Sequence, residues 1–253
     1  MRGLGRIIAA IGAGALSLAL TSGSMAQVRH TATDQIIQQA LGISAYTIQS
    51  LTPSAAPLQA FTVDVNLGGQ VVTLDAAPRS YRAEGFRVLV DVGGNNLVEF
   101  DPGPALTVRG FAQGLDADVG GSHSDRGLHL IVRLASGDMW GIQPLSEVIP
   151  TAPADLHVVY RHADVIPGDW QCGTPNHNHA QDPAAPGEPQ PSPDVLRVCQ
   201  VAYDADFEFS SLNGSNVTTT TNDIENINAQ VNVVYERDVE IIKDITNIIV
   251  RTT

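Results

Sequence analysis

The chain has 253 residues, of which 27 are acidic and 14 are basic, so its formal net charge is −13 at neutral pH. This charge argues against DNA or RNA as a partner, because neutralisation of phosphates by Lys and Arg supplies much of the affinity of nucleic-acid-binding proteins. A hydrophobic fraction of 43% fits a packed core rather than disorder, and two cysteines are too few for a disulfide scaffold.

Residues 1–26 have the pattern of a secretory signal peptide. Arg2 and Arg6 form a positive n-region, the apolar stretch 7–20 follows, and small residues precede the predicted cleavage site between Ala26 and Gln27. The apolar stretch is shorter than the roughly 20 residues that a membrane-spanning helix needs. The sequence therefore predicts secretion, with no membrane association once the signal is removed.

Hydrophobic periodicity after the signal predicts one helix and then a series of short strands. The helix is expected at 33–41. Alternation of apolar and polar residues in 61–67, followed by Gly68-Gly69 and the apolar run 71–74, predicts a β-hairpin. Further strands are predicted at 86–92, 97–100, 105–111, 128–134, 139–142 and 156–161, with Gly120-Gly121 among the turns between them. The interval 58–162 is therefore expected to be a largely antiparallel β domain.

A change in composition separates this β domain from the C-terminal residues. The interval 173–193 contains six of the 15 prolines of the chain and almost no large apolar side chain. Such a segment cannot bury enough surface to offset the entropy of ordering it, so an extended, exposed linker is expected. The predicted division is a signal peptide at 1–26, a β-rich domain at 27–168, a linker segment at 169–194 and a C-terminal unit at 195–253.

The C-terminal unit is predicted to be a strand, a helix and a second strand. Apolar residues at helical spacing from Ile224 to Tyr235 indicate the helix, and apolar runs at 195–202 and 240–250 indicate the strands. Such a unit needs more sheet to cover it, so a truncated α/β unit is expected, and the α+β class for the whole chain. The charged residues expected on the solvated face of the helix are Glu225, Glu236 and Asp238.

Two blocks of sequence resemble a known protein family. The first block reads Val108-Arg109-Gly110, Gly127-Leu128, Trp140-Gly141-Ile142-Gln143-Pro144-Leu145 and His157-Val158-Val159-Tyr160-Arg161, and the second runs from Asp204-Ala205-Asp206-Phe207 to Val234-Tyr235-Glu236-Arg237-Asp238. In this order they resemble the end of the propeptide and the start of the peptidase domain of the reprolysin (adamalysin) family of secreted metzincin zinc peptidases. The resemblance implies a metzincin-like peptidase domain that starts near residue 195.

The resemblance also implies a zinc cofactor in the complete enzyme, held by a His-Glu-x-x-His-x-x-Gly-x-x-His motif. The chain contains no such motif. It is therefore expected to be inactive alone and to form the front part of a zinc metalloendopeptidase precursor. The implied partners are its own downstream peptidase domain and, for the full enzyme, protein substrates.

A cysteine between the two blocks is a candidate for the control of latency. Cys172-Gly173 is similar to the cysteine switch of metzincin zymogens, and a thiolate is a good zinc ligand, so Cys172 is the candidate inhibitory ligand. The alternative is a disulfide between Cys172 and Cys199, because the secretory route is oxidising and the number of cysteines is even.

Two other functions remain open on the sequence. One is a non-catalytic secreted β-rich binding or structural protein, and the other is a free fragment that inhibits a peptidase in trans. A metal-binding helix encoded downstream, with zinc content and caseinolytic activity of the longer product, would distinguish the protease precursor from the binding or structural protein.

Overall fold

A computed structural model describes residues 32–94, 96–168 and 196–252. The predicted signal peptide 1–26, its predicted cleavage site between Ala26 and Gln27, and the segment 169–194 with Cys172 lie outside the described residues, so the expectations for them stay predictions. The elements in chain order are α1 (Ala32–Leu41), β1 (Thr47–Ser50), β2 (Phe61–Leu67), β3 (Gln70–Pro78), β4 (Arg82–Asp91), β5 (Leu97–Phe100), β6 (Thr107–Ala112), β7 (Ala117–Ser124), β8 (Gly127–Leu134), β9 (Met139–Pro144), β10 (Leu156–Arg161), β11 (Arg197–Ala205), α2 (Phe207–Leu212), α3 (Val217–Val239) and β12 (Ile241–Arg251).

Eight strands form one antiparallel sheet in the order β1, β10, β9, β8, β7, β6, β3, β2. This sheet is nearly closed on itself and is called the barrel below. The carboxamide of Gln49 joins its two end strands: Nε2 donates to the carbonyl oxygen of Asn66 and Oε1 accepts the Asn66 N–H, both at 2.8 Å. A side-chain amide thus supplies the two bonds that a neighbouring backbone would have made.

The interior of the barrel is an apolar core built by alternation along the strands. On β2, Val63 and Val65 are buried whereas Asp64 and Asn66 are exposed, as the period of two in this segment predicts. The strands opposite contribute further fully buried side chains, such as Leu130 on β8. The core therefore follows directly from the hydrophobic pattern of the sequence.

A second sheet has four strands in the order β11, β12, β4, β5. Strand β12 is parallel to both β11 and β4, and β5 is antiparallel to β4. The hairpin β4–β5 belongs to the predicted β domain, whereas β11 and β12 belong to the predicted C-terminal unit. One hydrogen-bonded sheet therefore contains strands from both sides of the segment 169–194.

Helix α3 packs between the two sheets, with contacts to β6, β7 and β8 of the barrel and to β12 of the second sheet. Strand β7 approaches the helix closely because Gly120 faces it. A Cβ atom at this position would lie 2.4 Å from Cγ2 of Val233 and 3.2 Å from the carbonyl oxygen of Ala229. The helix is thus covered on two sides.

No helix in the described ranges is long and apolar enough to cross a membrane.

Most elements predicted from the sequence are confirmed, including α1, the β2–β3 hairpin and the strand–helix–strand order of the C-terminal unit. The mostly antiparallel β content is confirmed, and the α+β class is compatible with it. Strands β1 and β7 and the short helix α2 were not predicted. The turn expected at Gly120-Gly121 is wrong, because both glycines lie inside β7. A Cβ at Gly121 would lie 2.1 Å from the carbonyl oxygen of His129, so close strand packing explains this glycine.

The solvated face expected for α3 is also wrong. Glu225 is buried, Glu236 is partly buried, and each carboxylate contacts an arginine. Asp238 is exposed but pairs with Arg133 of the barrel at 2.7 Å. The reason is that α3 has protein on two sides, which a helical pattern with one apolar face does not predict.

Candidate functional site

A buried ion pair connects β4 to α3 at the junction of the two sheets. Arg82 Nη2 donates to Glu225 Oε2 at 3.0 Å, Arg82 Nε donates to the second carboxylate oxygen, and Nη1 donates to the carbonyl oxygen of Gly103 at 2.6 Å. The Glu225 side chain is 3% exposed and that of Arg82 is 17% exposed. Two parallel bonds between a guanidinium and a carboxylate fix the geometry as well as the charge, so this pair sets how the hairpin β4–β5 meets the helix.

A second set of charges joins the C-terminal half of α3 to the outside of the barrel. Arg109 on β6 lies 3.0 Å from Asp118 and 3.3 Å from Glu236, and Arg237 approaches Asp118 at 2.7 Å. The ion pairs form a chain in which α3 supplies the two outer groups, Glu236 and Arg237, and the barrel supplies Arg109 and Asp118 between them. Because both residue ranges supply cations and anions, the contact is specific in register as well as favourable in energy.

Two asparagines of α3 bind the backbone of β12 near its start. Asn232 Oδ1 accepts the N–H of Lys243 at 2.8 Å, and the side-chain amides of Asn228 and Asn232 both donate to the Lys243 carbonyl oxygen at 3.0 Å. The ladder between β12 and β4 begins only at Ile245. The asparagines thus satisfy backbone groups that β4 does not reach, and this explains why polar residues are fully buried in the helix.

Residues that carry the resemblance in the barrel contact one another. His157 Nε2 accepts the N–H of Leu128 at 2.8 Å, and Nδ1 lies 2.8 Å from the carbonyl oxygen of Asp155, so Nδ1 carries the proton of the neutral ring. Burial lowers the pKa of His157 below its usual value. A Cβ at Gly127 would lie 2.7 Å from His157 Nε2. The position of the His157 ring therefore requires glycine at 127.

Strand β11 is an end strand of the second sheet, and within the described ranges no strand pairs with its outer edge. Residues 197–200 are exposed, and Val198 is 59% exposed. Cys199 is also exposed on this strand. An apolar pocket of about 280 Å³, lined in part by Tyr203 and Phe209, lies at the other end of β11. Native proteins usually pair or cover an apolar edge strand of this kind.

A polar cleft of about 550 Å³ lies between the barrel and the α2–α3 region. Arg126 and His129 from β8 and the turn before it, with Glu147 from a short 3₁₀ turn, line the barrel side. Asn222 and Asp223, in the N-terminal half of α3, line the helix side. The volume is in the range of pockets that bind small ligands.

The charges in this cleft are unevenly paired. His129 Nδ1 lies 3.5 Å from Glu147 Oε2. Burial alone would raise the pKa of Glu147, but the hydrogen bond from His129 and the nearby positive charges of His129 and Arg126 outweigh it, so the pKa is lowered. The ionised Glu147 carboxylate therefore lies beside His129 and Arg126 on the barrel side of the cleft.

A metal site is not formed by the described residues. Across 32–94, 96–168 and 196–252, no group of three or more His, Cys, Asp or Glu side chains is placed to hold a metal ion. The zinc that the resemblance implies stays a proposal, and Cys172, its candidate inhibitory ligand, lies outside the described residues. No protein-family model and no curated protein matches the chain.

Proposed function

We propose that the chain is the N-terminal portion of a secreted zinc metalloendopeptidase precursor of the reprolysin type, in which residues 27–168 act as a prodomain. The observation that carries this proposal is the outer edge of β11, with which no described strand pairs. A strand with apolar, exposed residues on an unpaired edge is a place where further sheet can be added. The resemblance assigns this strand to the start of a peptidase domain.

The junction of the two sheets supports the role of residues 27–168 as a prodomain. The hairpin β4–β5 adds strands to the sheet of β11 and β12, and the Arg82–Glu225 pair connects this hairpin to α3. The barrel covers the opposite side of the same helix. Residues 196–252 therefore make extensive contacts with the upstream part, as expected for a segment that folds with the help of its prodomain.

Latency in this proposal depends on Cys172 and on a zinc ion held by residues that the chain does not contain. The thiolate of Cys172 would occupy a coordination position of the zinc until the segment 169–194 is cut. No step of peptide hydrolysis is assigned to the described residues.

The test is a longer product of the same gene, with zinc content and casein hydrolysis measured before and after cleavage within 175–195. We expect bound zinc at a stoichiometric ratio, and hydrolysis that appears on cleavage. Cys172→Ser should give activity before cleavage, whereas the matched variant Cys199→Ser should stay latent. A longer product that binds no zinc and hydrolyses no casein contradicts the proposal.

A non-catalytic secreted binding protein is the second candidate, and the polar cleft favours it. The cleft is large enough for a small ligand, and the guanidinium of Arg126 at its wall forms no ion pair with a described residue. This candidate gains if the longer gene product encodes no metal-binding helix. Ligand binding by the present chain, without zinc, would then be its main activity.

A further inference from the structure

The polar cleft contains an arginine, Arg126, whose charge acts on Glu147 from a distance but forms no ion pair with it. Arg126 is exposed, and its guanidinium makes no hydrogen bond or ion pair within the described ranges; only its backbone N–H is bonded, to Ser124 Oγ at 3.2 Å. In contrast, Arg82, Arg109 and Arg133 all pair with acids. An unpaired guanidinium at the wall of a cavity is a natural partner for a carboxylate.

The opposite side of the cleft has an excess of hydrogen-bond acceptors. Asn222 Oδ1 is buried and has no hydrogen-bond partner among the described residues. Asp223 accepts one bond, from the side-chain amide of Asn213 at 3.3 Å, and forms no ion pair with a described residue. The Asp223 carboxylate therefore has acceptor capacity left for a ligand that brings N–H groups.

We propose that this cleft binds a small zwitterionic ligand, of the free amino acid or short peptide class. The carboxylate of the ligand binds Arg126 on the barrel side, and its ammonium group binds the Asp223 carboxylate on the helix side. Glu147 is already engaged by His129, which leaves Arg126 as the available charge of the barrel wall. A cavity of about 550 Å³ has room for a dipeptide and its first water molecules.

The two walls of the cleft come from opposite sides of the segment 169–194. Arg126 belongs to the upstream part, and Asn222 and Asp223 belong to the C-terminal part. A ligand that contacts both walls therefore binds only when the two parts are docked. By linkage, its binding raises the free energy of unfolding of the whole assembly.

The test uses glycylglycine as the probe, with binding to the secreted chain measured by isothermal titration calorimetry. Two capped forms separate the contributions: N-acetylglycylglycine keeps only the carboxylate charge, and glycylglycinamide keeps only the ammonium charge. We expect glycylglycine to bind at least about tenfold more tightly than either capped form, because each cap removes a charge-assisted contact. The midpoint of thermal unfolding should rise with glycylglycine concentration.

Variants assign each end of the ligand. Arg126→Gln should weaken glycylglycine binding about tenfold or more. This variant should bind glycylglycinamide as tightly as glycylglycine, because the carboxylate no longer has a partner. Asp223→Asn should also weaken glycylglycine binding about tenfold or more, and the variant should bind N-acetylglycylglycine as tightly as glycylglycine. The matched control is Arg87→Gln, which removes an exposed arginine of β4 outside this cleft and should leave the affinity unchanged.

Failure of the inference has a clear signature. Equal affinity for the free and capped dipeptides, or no binding of any of them, overturns it, as does equal weakening by Arg126→Gln and Arg87→Gln. Unfolding curves of the ligand-free variants verify that both fold. The measurement needs neither zinc nor peptidase activity. A negative binding result therefore does not contradict the proposed protease precursor, and a longer product without peptidase activity does not contradict ligand binding in the cleft.

Discussion

The barrel and the second sheet solve the problem of exposed strand edges in different ways. The barrel curls until its end strands meet, and Gln49 bridges the remaining gap to Asn66. The second sheet stays open: β4 covers one side of β12, whereas the outer edge of β11 has no described partner. A sheet that closes on itself depends little on neighbours, but an open sheet depends on contacts that other parts of the chain supply.

This difference implies that the second sheet is the less independent of the two regions. Its stability is expected to depend on the ion pair of Arg82 with Glu225, on the packing of Val233 against Gly120 and on strand pairing across a long stretch of sequence. The barrel core, in contrast, is formed entirely by residues upstream of 169. Changes at the junction should therefore affect the second sheet first.

Removal of the buried carboxylate should have the largest effect. Glu225→Ala leaves Arg82 largely buried without a counter-ion, and loss of one partner of a buried pair costs about 3–5 kcal/mol. Urea unfolding should show this loss, and hydrogen exchange should accelerate at Ile245 and Ile248 of β12 more than at Leu130 of the barrel. Asp138→Ala breaks the exposed pair with Arg161 and should change little. Equal acceleration of exchange in both sheets would contradict the comparison.

A methyl group at Gly120 should push the helix away from the barrel. The new Cβ in Gly120→Ala would meet Cγ2 of Val233 at 2.4 Å, and overpacking of this kind costs about 1–3 kcal/mol. The double variant Gly120→Ala/Val233→Ala removes the clashing methyl groups, so it should be no less stable than Val233→Ala alone. Strict additivity of the two single changes in urea unfolding would show that the close contact has no energetic role.

Acid should destabilise the barrel through His157. Because burial lowers its pKa, the unfolded chain takes up the proton first, so the stability contribution is complete above about pH 6.5 and is lost as pH falls below it. The slope per histidine reaches about 1.4 kcal/mol per pH unit at most. His157→Asn should flatten the pH dependence of urea unfolding, whereas His162→Asn, at an exposed site, should preserve it. An unchanged slope in His157→Asn would assign the acid sensitivity elsewhere.

Opening of the barrel should have the smallest effect. Gln49→Ala removes the two bonds to Asn66 and the bond from Nε2 to Thr47 Oγ1, all of them exposed, and the net loss should be about 1 kcal/mol. The amide of Asn66 should exchange faster with solvent, while amides in β7 and β8 keep their protection. Gln113→Ala, which removes only a bond of 3.4 Å to Asp75, is the matched control. Protection of Asn66 equal to that of the parent would show that the side chain does not close the ring.

Local periodicity predicted the strands well but not their partners. The alternation in 61–67 gave both the β2–β3 hairpin and its buried face. The apolar run 86–92 correctly predicts a strand. Its composition does not indicate that this strand pairs with 241–251 rather than with a strand of the barrel. Pairing between distant segments depends on the completed surfaces of both sheets, which single-segment patterns do not contain.

The candidate site was predicted less well than the fold. Gly120 was assigned to a turn because glycine is common in turns, whereas here it allows a helix to approach. Glu225 was assigned to solvent because a lone acid on a helix is usually exposed, and its partner Arg82 is 143 positions away. The cleft with Arg126 was not predicted, because its walls come together only after α3 has docked. Cys172 remains a prediction from sequence.

The pairing of β4 with β12 has a consequence for biosynthesis. Asp91 at the end of β4 binds Arg251 and Thr252, and Arg251 lies 160 positions further along the chain. At ribosomal rates of about 5–20 residues per second, the hairpin β4–β5 is made roughly 10–30 s before its permanent neighbour exists. During that interval the edge of β4 that later pairs with β12 is free to pair with strands of other chains. Strand β12 therefore completes the second sheet. Pairing of β12 with β4 is expected to be the last step of refolding.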